Sequence, residues 1–183
     1  MDEISVERLI GQASVIDVRP ACQNNPDYVL TESDLLTWES QHSRIEKDTL
    51  VLLHTRWEMY WPNAQRYLGS LTPDDPTTLH FPGFSAEAME FLVTHRGIRG
   101  VGIDTASIDP GQSSDFQAHQ ILSRANLYAI ENIAGLEQLP TRGATVFALP
   151  MKIKVGQEDL SKSSQWFTDI NYIRGHAIRQ LVN

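Results

Sequence analysis

Cysteine is nearly absent from this chain of 183 residues, which contains only Cys22. A single cysteine excludes an intramolecular disulfide framework and any CxxC metal or redox site. Long hydrophobic runs are missing too, because stretches such as 49–53 are far shorter than the about 20 residues that cross a bilayer. The first five residues are acidic where a secretory signal would be basic. We therefore expect a cytoplasmic protein with no membrane partner.

Positive charge is also scarce. The chain has 15 Lys and Arg against 23 Asp and Glu, a formal net charge of −8, and its basic residues are scattered. Such a chain lacks the electrostatic footprint for binding nucleic acid, so no nucleic-acid partner is expected. Hydrophobic residues make up 41% and charged residues 21%, which is ordinary globular usage and argues against wholesale disorder.

Strand-like and helix-like patterns alternate along the chain, which predicts an α/β domain. Predicted strands are 14–18, 48–54, 98–104, 127–130 and 144–149. Predicted helices are 6–10 closed by Gly11, one behind the capping box 31–34, one from Ser85 to Gly97, and 116–122. The proline-rich stretch 57–82 is the least regular part, and Trp38, Trp57 and Trp61 suggest an aromatic cluster buried there.

Standard catalytic motifs are absent. Six histidines are present, but none forms HExxH, HxH or HxxxH, and there is no GxSxG elbow or P-loop. The catalytic residues therefore stay unassigned from the sequence.

Four residues at 104–131 are the candidates for chemistry. Asp104 and Asp109 follow a predicted strand, at the end where ligands gather in α/β sheets. His119 lies on a predicted helix and Glu131 ends the next strand, so a helix, a turn and a returning strand can bring them together. An imidazole and a carboxylate that meet in this way supply part of a metal site. A helix-face histidine and a backbone-bonded carboxylate are the structural alternative.

A series of short blocks identifies the chain's relatives. In order they read RLIG and VIDV at 8–18, TLVLLHTRW at 49–57, FPGFS at 81–85, VGIDTASID at 101–109, AHQIL at 118–122, IENI at 130–133, and LP with ALPMKI at 139–153. Together they cover most of the chain, and no single block is decisive. The series resembles the cyclase family of metal-dependent hydrolases, which includes bacterial kynurenine formamidase and isatin hydrolase.

The resemblance carries several expectations. It implies a swivelling β/β/α fold, homo-oligomers, and a zinc or manganese cofactor for which His119 and Glu131 are two ligands. Asp104 and Asp109 would then help to orient those ligands without binding the metal themselves. The implied activity is hydrolysis of formyl or cyclic amides, such as the arylformamidase step from tryptophan to kynurenine. The implied small-molecule partner is therefore an amide.

The chain also departs from the family. The signature HxGTHxDxPxH, which supplies the remaining ligands and the acid/base histidine, is absent from this sequence. We therefore expect an incomplete cyclase-like domain over residues 1–154 and a divergent tail at 155–183. Three hypotheses stay open: an amide hydrolase completed by other ligands, a catalytically inactive member that binds or pairs with a full-length relative, and an incomplete product that folds poorly.

Overall fold

The structure is a computed structural model that describes residues 5–149. The predicted tail 155–183 lies outside the described residues. Within 5–149, no helix is long and apolar enough to cross a membrane.

Among residues 5–149, a five-stranded sheet forms the centre of the fold, with a separate two-stranded sheet beside it. The strands are β1 (Ile10–Asp17), β2 (Val29–Leu30), β3 (Leu50–His54), β4 (Gly83–Phe84), β5 (Gly100–Ile103), β6 (Tyr128–Ile130) and β7 (Arg142–Phe147). The central order is β6-β5-β3-β1-β7, in which all neighbours are parallel except β7, which runs antiparallel to β1. The two-stranded sheet pairs β2 with β4 in parallel.

In the described part of the chain, five α-helices connect these strands, so the predicted α/β class is confirmed. They are α1 (Arg19–Asn24), α2 (Glu32–His42), α3 (Ala64–Leu68), α4 (Ala86–Phe91, continued by a π-helical turn at Leu92–Arg96) and α5 (Gln117–Arg124). The predicted capping box is present, since the side chains of Thr31 and Asp34 each accept from the other's backbone N–H. Ser85 caps α4, and Gly97 ends its extension at φ 60°.

Alternate side chains of the buried strand β3 enter two different cores. Val51 and Leu53 join the larger one, under α1, α2, α4 and α5, while Leu50 and Leu52 join the smaller one on the opposite face. On that smaller side, a Cβ at Gly102 would lie 2.6 Å from Ile133 Cδ1. A Cβ at Gly100 would likewise lie 2.6 Å from Tyr128 O, so both glycines of β5 allow neighbouring residues to approach the strand closely.

Two local predictions near the amino terminus are wrong. The segment predicted as a helix over 6–10 is a short 3-10 turn, Val6–Arg8, and β1 already begins at Ile10. Gly11 does not end a helix but lies inside the strand, opposite Val146 of β7. The extended conformation at Ile10 and Gly11 is set by pairing with β7 residues more than 130 positions away. A local sequence pattern cannot show such pairing.

The irregular stretch holds the expected aromatic cluster. Trp57, Tyr67 and Phe81 are buried together, with Trp61 packed against them. Trp38 does not belong to this cluster, because α2 carries it into the larger core, where its indole Nε1 donates to Val15 O.

Candidate active site at the carboxyl edge of the sheet

The carboxyl ends of the parallel strands meet at one edge of the sheet, and polar side chains cluster there. Asp17 ends β1, His54 ends β3, Asp104 directly follows β5, and Glu131 directly follows β6. Parallel pairing places these four positions side by side. This is the edge at which open α/β sheets bind their ligands.

His119 is held in one orientation by Asp109. The imidazole Nδ1 lies 2.5 Å from Asp109 Oδ2, and the same carboxylate accepts from the backbone N–H groups of Ala118 and His119. Asp109 is almost fully buried, whereas the His119 side chain is 40% exposed. The histidine ring is therefore fixed through Nδ1, and its Nε2 faces outward from this contact.

Glu131 approaches the opposite edge of the same imidazole, at Nε2. Its Oε1 lies 3.4 Å from His119 Nε2 and accepts the backbone N–H of Ile108 at 2.8 Å. Helix α5, the turn at 125–127 and strand β6 thus bring together two residues that stand twelve positions apart. Hydrogen bonds to Asp109 and Glu131 raise the pKa of His119 to about 9.

Asp104 is fully buried, and its hydrogen bonds run toward β3. Its carboxylate accepts from Thr55 N and Thr55 Oγ1, at 3.0 and 2.7 Å, and from Trp57 N at 2.9 Å. Burial raises the pKa of Asp104 despite these bonds. Asp104 therefore supports the start of the segment that follows β3, while Asp109 is the aspartate that contacts His119.

A cleft of about 860 Å³ opens beside these residues. Asp104 and Asn132, the residue after Glu131, line it together with Tyr67. The single hydroxyl hydrogen of Tyr67 is shared between Asn132 Oδ1 at 2.8 Å and Asp104 O at 3.2 Å. Its volume is in the range of small-molecule sites. The remaining lining residues combine apolar and charged side chains: Arg19, Arg56, Glu58, Met59, Trp61, Pro62, Ile133, Ala134, Gly135, Glu137 and Gln138.

Most of the residues that line the cleft could not be identified from the sequence. Tyr67, Glu58 and Glu137 come from three separate segments, and none stands in a recognisable motif. The one available signal for the cleft was the long irregular stretch 57–82, since such stretches in compact domains are often functional.

Comparison with known proteins places these observations in a family. The family described as "Putative cyclase" matches residues 1–110. Isatin hydrolase from Roseibium aggregatum is 32% identical over 159 residues, which cover 85% of this chain and 59% of that protein. Kynurenine formamidase from Paracidovorax citrulli is 42% identical over 57 residues, covering 31% of this chain and 26% of that protein.

A solved structure agrees with the sequence matches. Isatin hydrolase A from Labrenzia aggregata, bound to benzyl benzoate, superposes with a TM-score of 0.77 and 38% identity, covering 84% of this chain and 59% of that one. The chain therefore belongs to the cyclase family, and its cyclase-like α/β fold is confirmed. It spans less than two thirds of the length of these relatives.

Proposed function

We propose that this chain carries part of the metal centre of an amide hydrolase of the cyclase family, with His119 and Glu131 as two ligands of zinc or manganese. The substrates would be formyl or cyclic amides, including substrates of the arylformamidase and isatin-hydrolase kind. The arrangement Asp109–His119–Glu131 is the observation that carries the proposal. The similarity to isatin hydrolase and kynurenine formamidase supports the same class of reaction.

The geometry of the two donors suits a metal ion. Metal-binding histidines commonly donate the other ring N–H to a carboxylate, which fixes the tautomer and strengthens the ligand. Asp109 fills this role for His119, so that Nε2 is the nitrogen available to a cation. Glu131 Oε1 lies 3.4 Å away, close to the spacing of about 3.4 Å between neighbouring donors on a tetrahedral zinc.

Neighbouring groups hold the two proposed ligands in place. The backbone N–H of Ile108 fixes the Glu131 carboxylate, and Asp109 fixes His119, so both donors are held before any ligand arrives. A bound divalent ion would supply Lewis-acid polarisation of the amide carbonyl and an acidified water. Hydrolysis would add the hydroxyl of water to the carbonyl carbon and a proton to the nitrogen as the C–N bond breaks, giving an amine and a carboxylic acid that ionises to a carboxylate.

The adjacent cleft suits an aromatic amide. Trp61 and Met59 offer apolar surface for a ring, while Arg19 and Arg56 offer positive charge for the carboxylate that forms when a cyclic amide opens. Arg19 is already paired with Asp17, at 2.7 Å, which leaves Arg56 as the more available cation. Substrate binding in this cleft is part of the proposal.

Turnover requires more ligands than these two. A catalytic zinc normally has three protein ligands and one open position. The further ligands would come from another segment or from a second chain, which agrees with the proposed assembly as a homo-oligomer or as a pair with a full-length relative. The shortage of ligands also favours a second candidate function, an inactive member that acts through binding or pairing.

Metal content and hydrolysis together test the proposal. Purified protein loaded with Zn²⁺ or Mn²⁺ and desalted should keep metal, whereas His119→Ala and Glu131→Ala should each keep one metal ion per chain fewer than the wild-type chain. Hydrolysis of isatin and of N-formyl anilines, followed by absorbance, should fall with the metal. His95→Ala and Glu87→Ala are the matched controls, since both side chains are exposed.

The two candidate functions give different results. Metal bound without turnover, together with a mixed species on size exclusion with a full-length relative, would favour the pairing function. Metal retained in full by both variants would rule out His119 and Glu131 as ligands.

A further inference from the structure

We infer that His54, Glu58 and Glu137 form a second divalent-cation site, suited to Zn²⁺, on the wall of the cleft. One donor atom from each of the three side chains lies within 4.8 Å of the other two. Nothing in the cyclase-like blocks assigns these residues to a metal. The inference stands independently of the function proposed for His119 and Glu131.

Three separate segments bring these donors together. His54 is the last residue of β3, Glu58 lies in the 3-10 turn Trp57–Tyr60, and Glu137 lies in the 3-10 turn Leu136–Gln138. The backbone N–H of Gly135 donates to Glu58 Oε2, which ties the two turns to each other. Glu58 and Glu137 both line the cleft, so a cation held here would face a small molecule bound in it.

The buried histidine distinguishes this cluster from an ordinary acidic patch. His54 is only 2% exposed, and its Nε2 has no hydrogen-bond partner among residues 5–149. A buried polar atom without a partner is destabilising, so such atoms are rare unless they have a function. Burial lowers the pKa of His54, which favours the neutral imidazole that a metal requires.

The two glutamates add a second argument from charge. One carboxyl oxygen of each lies within 4.8 Å of the other, and burial together with the neighbouring Glu137 raises the pKa of Glu58 to about 7. Asp104 adds negative charge nearby, and Asp17 and Arg19 form an ion pair beside His54. Two adjacent carboxyl groups and a neutral imidazole make a site in which a divalent cation would displace the proton held by the glutamates and balance their negative charge.

The ligand set defines the kind of ion. One imidazole and two carboxylates are donors that Zn²⁺ accepts, and three protein ligands leave a fourth position open toward the cleft. Donors on a tetrahedral zinc stand about 3.4 Å apart, so the cluster must contract slightly to bind. Glu137 is the exposed member and is free to make that movement.

The experiment removes each site separately in the full chain. Metal-free protein is titrated with Zn²⁺ by calorimetry, and thermal unfolding is measured with and without Zn²⁺. His119→Ala should still bind one Zn²⁺ and still unfold at a higher temperature with the metal. Adding Glu137→Gln to His119→Ala should weaken that remaining binding by about tenfold or more and remove the rise in unfolding temperature.

Matched variants guard against indirect effects. Glu137→Gln is chosen because the side chain is exposed and its loss should not prevent folding, and Glu87→Gln is the control on another exposed glutamate. Glu58→Gln should repeat the effect of Glu137→Gln. A zinc affinity that is unchanged when Glu137→Gln is added to His119→Ala would overturn the proposal, as would a His119→Ala chain that binds no zinc.

Discussion

The carboxylate of Asp109 contacts the imidazole of His119 at 2.5 Å, on the side of the ring opposite the 3.4 Å approach of Glu131. The same carboxylate accepts two backbone N–H groups at the start of α5. Asp109 thus fixes the first turn of the helix and the ring of the histidine at once. The orientation of His119 therefore depends on a residue in the loop after β5.

Replacing Asp109 with Asn should weaken metal binding at His119. The amide has the same size as the carboxylate but carries no charge. Its NH₂ group is a hydrogen-bond donor, so it cannot accept from the groups that now donate to the Asp109 carboxylate. Loss of such a supporting carboxylate typically costs about 10–100-fold in metal affinity. Calorimetric titration of metal-free Asp109→Asn with Zn²⁺, in the Glu137→Gln background, measures the change. An affinity equal to that of Glu137→Gln alone would show that Asp109 does not orient a ligand.

Replacing Asp104 with Ala should destabilise the fold. The substitution leaves the N–H and hydroxyl of Thr55 and the N–H of Trp57 without their acceptor in a fully buried place. We expect a loss of about 3 kcal/mol or more in the free energy of unfolding, measured by urea denaturation. Asp104→Asn should lose less, because its carbonyl oxygen still accepts from Thr55. Asp74→Ala, on an exposed residue, is the control and should change stability little.

Replacing Gly83 with Ala should disturb both stability and the metal site. An added Cβ would lie 2.4 Å from Pro110 N and 2.6 Å from Asp109 C, so the backbone beside Asp109 must move. We expect a loss of about 1–3 kcal/mol in the free energy of unfolding, together with weaker metal binding at His119. The control is Gly11→Ala, whose new Cβ would meet the flexible Arg99 side chain at 3.1 Å and should cost less. Equal losses in the two variants would contradict this reasoning.

Local signals in the sequence predicted the parts of the fold that depend on neighbouring residues. The capping box at Thr31 and Asp34 and the N-cap at Ser85 are present, because each needs only residues within one helical turn. Gly11 was misjudged because antiparallel pairing with β7, not its own neighbours, sets its conformation. The block series identified the family, which spacing alone could not do, since it drew on the order of many short segments.

The candidate site was predictable only in part for the same reason. The short path from α5 through a turn into β6 allowed His119 and Glu131 to be paired in advance. Glu58 and Glu137 stand 79 positions apart, and only the packed turns bring them together. No local pattern relates them to His54, so this cluster could be found only in the folded chain.

The ion pair between Glu39 and Arg96 should make stability depend on pH. Arg96 Nε and Nη2 each donate to the Glu39 carboxylate at 2.6 Å, and the two side chains are only 10% and 9% exposed. Burial alone would raise the pKa of Glu39, but the bonds from Arg96 and from Ile45 N outweigh it and leave the pKa below its ordinary value of 4.5. The paired carboxylate therefore stabilises the fold while it is ionised.

Because the folded-state pKa of Glu39 is depressed, its contribution is complete above the unfolded-state pKa and is lost as pH falls through the folded-state pKa. Glu39→Gln should therefore lower the free energy of unfolding by about 2 kcal/mol at pH 7. The difference from the wild-type chain should shrink below about pH 5, as the wild-type carboxylate becomes protonated. Urea denaturation of both proteins across pH 7 to 3 measures this, with Glu87→Gln as the exposed control. A difference that stays constant over that range would show that the charge on Glu39 contributes nothing, since only an ionised carboxylate can lose its effect by taking up a proton.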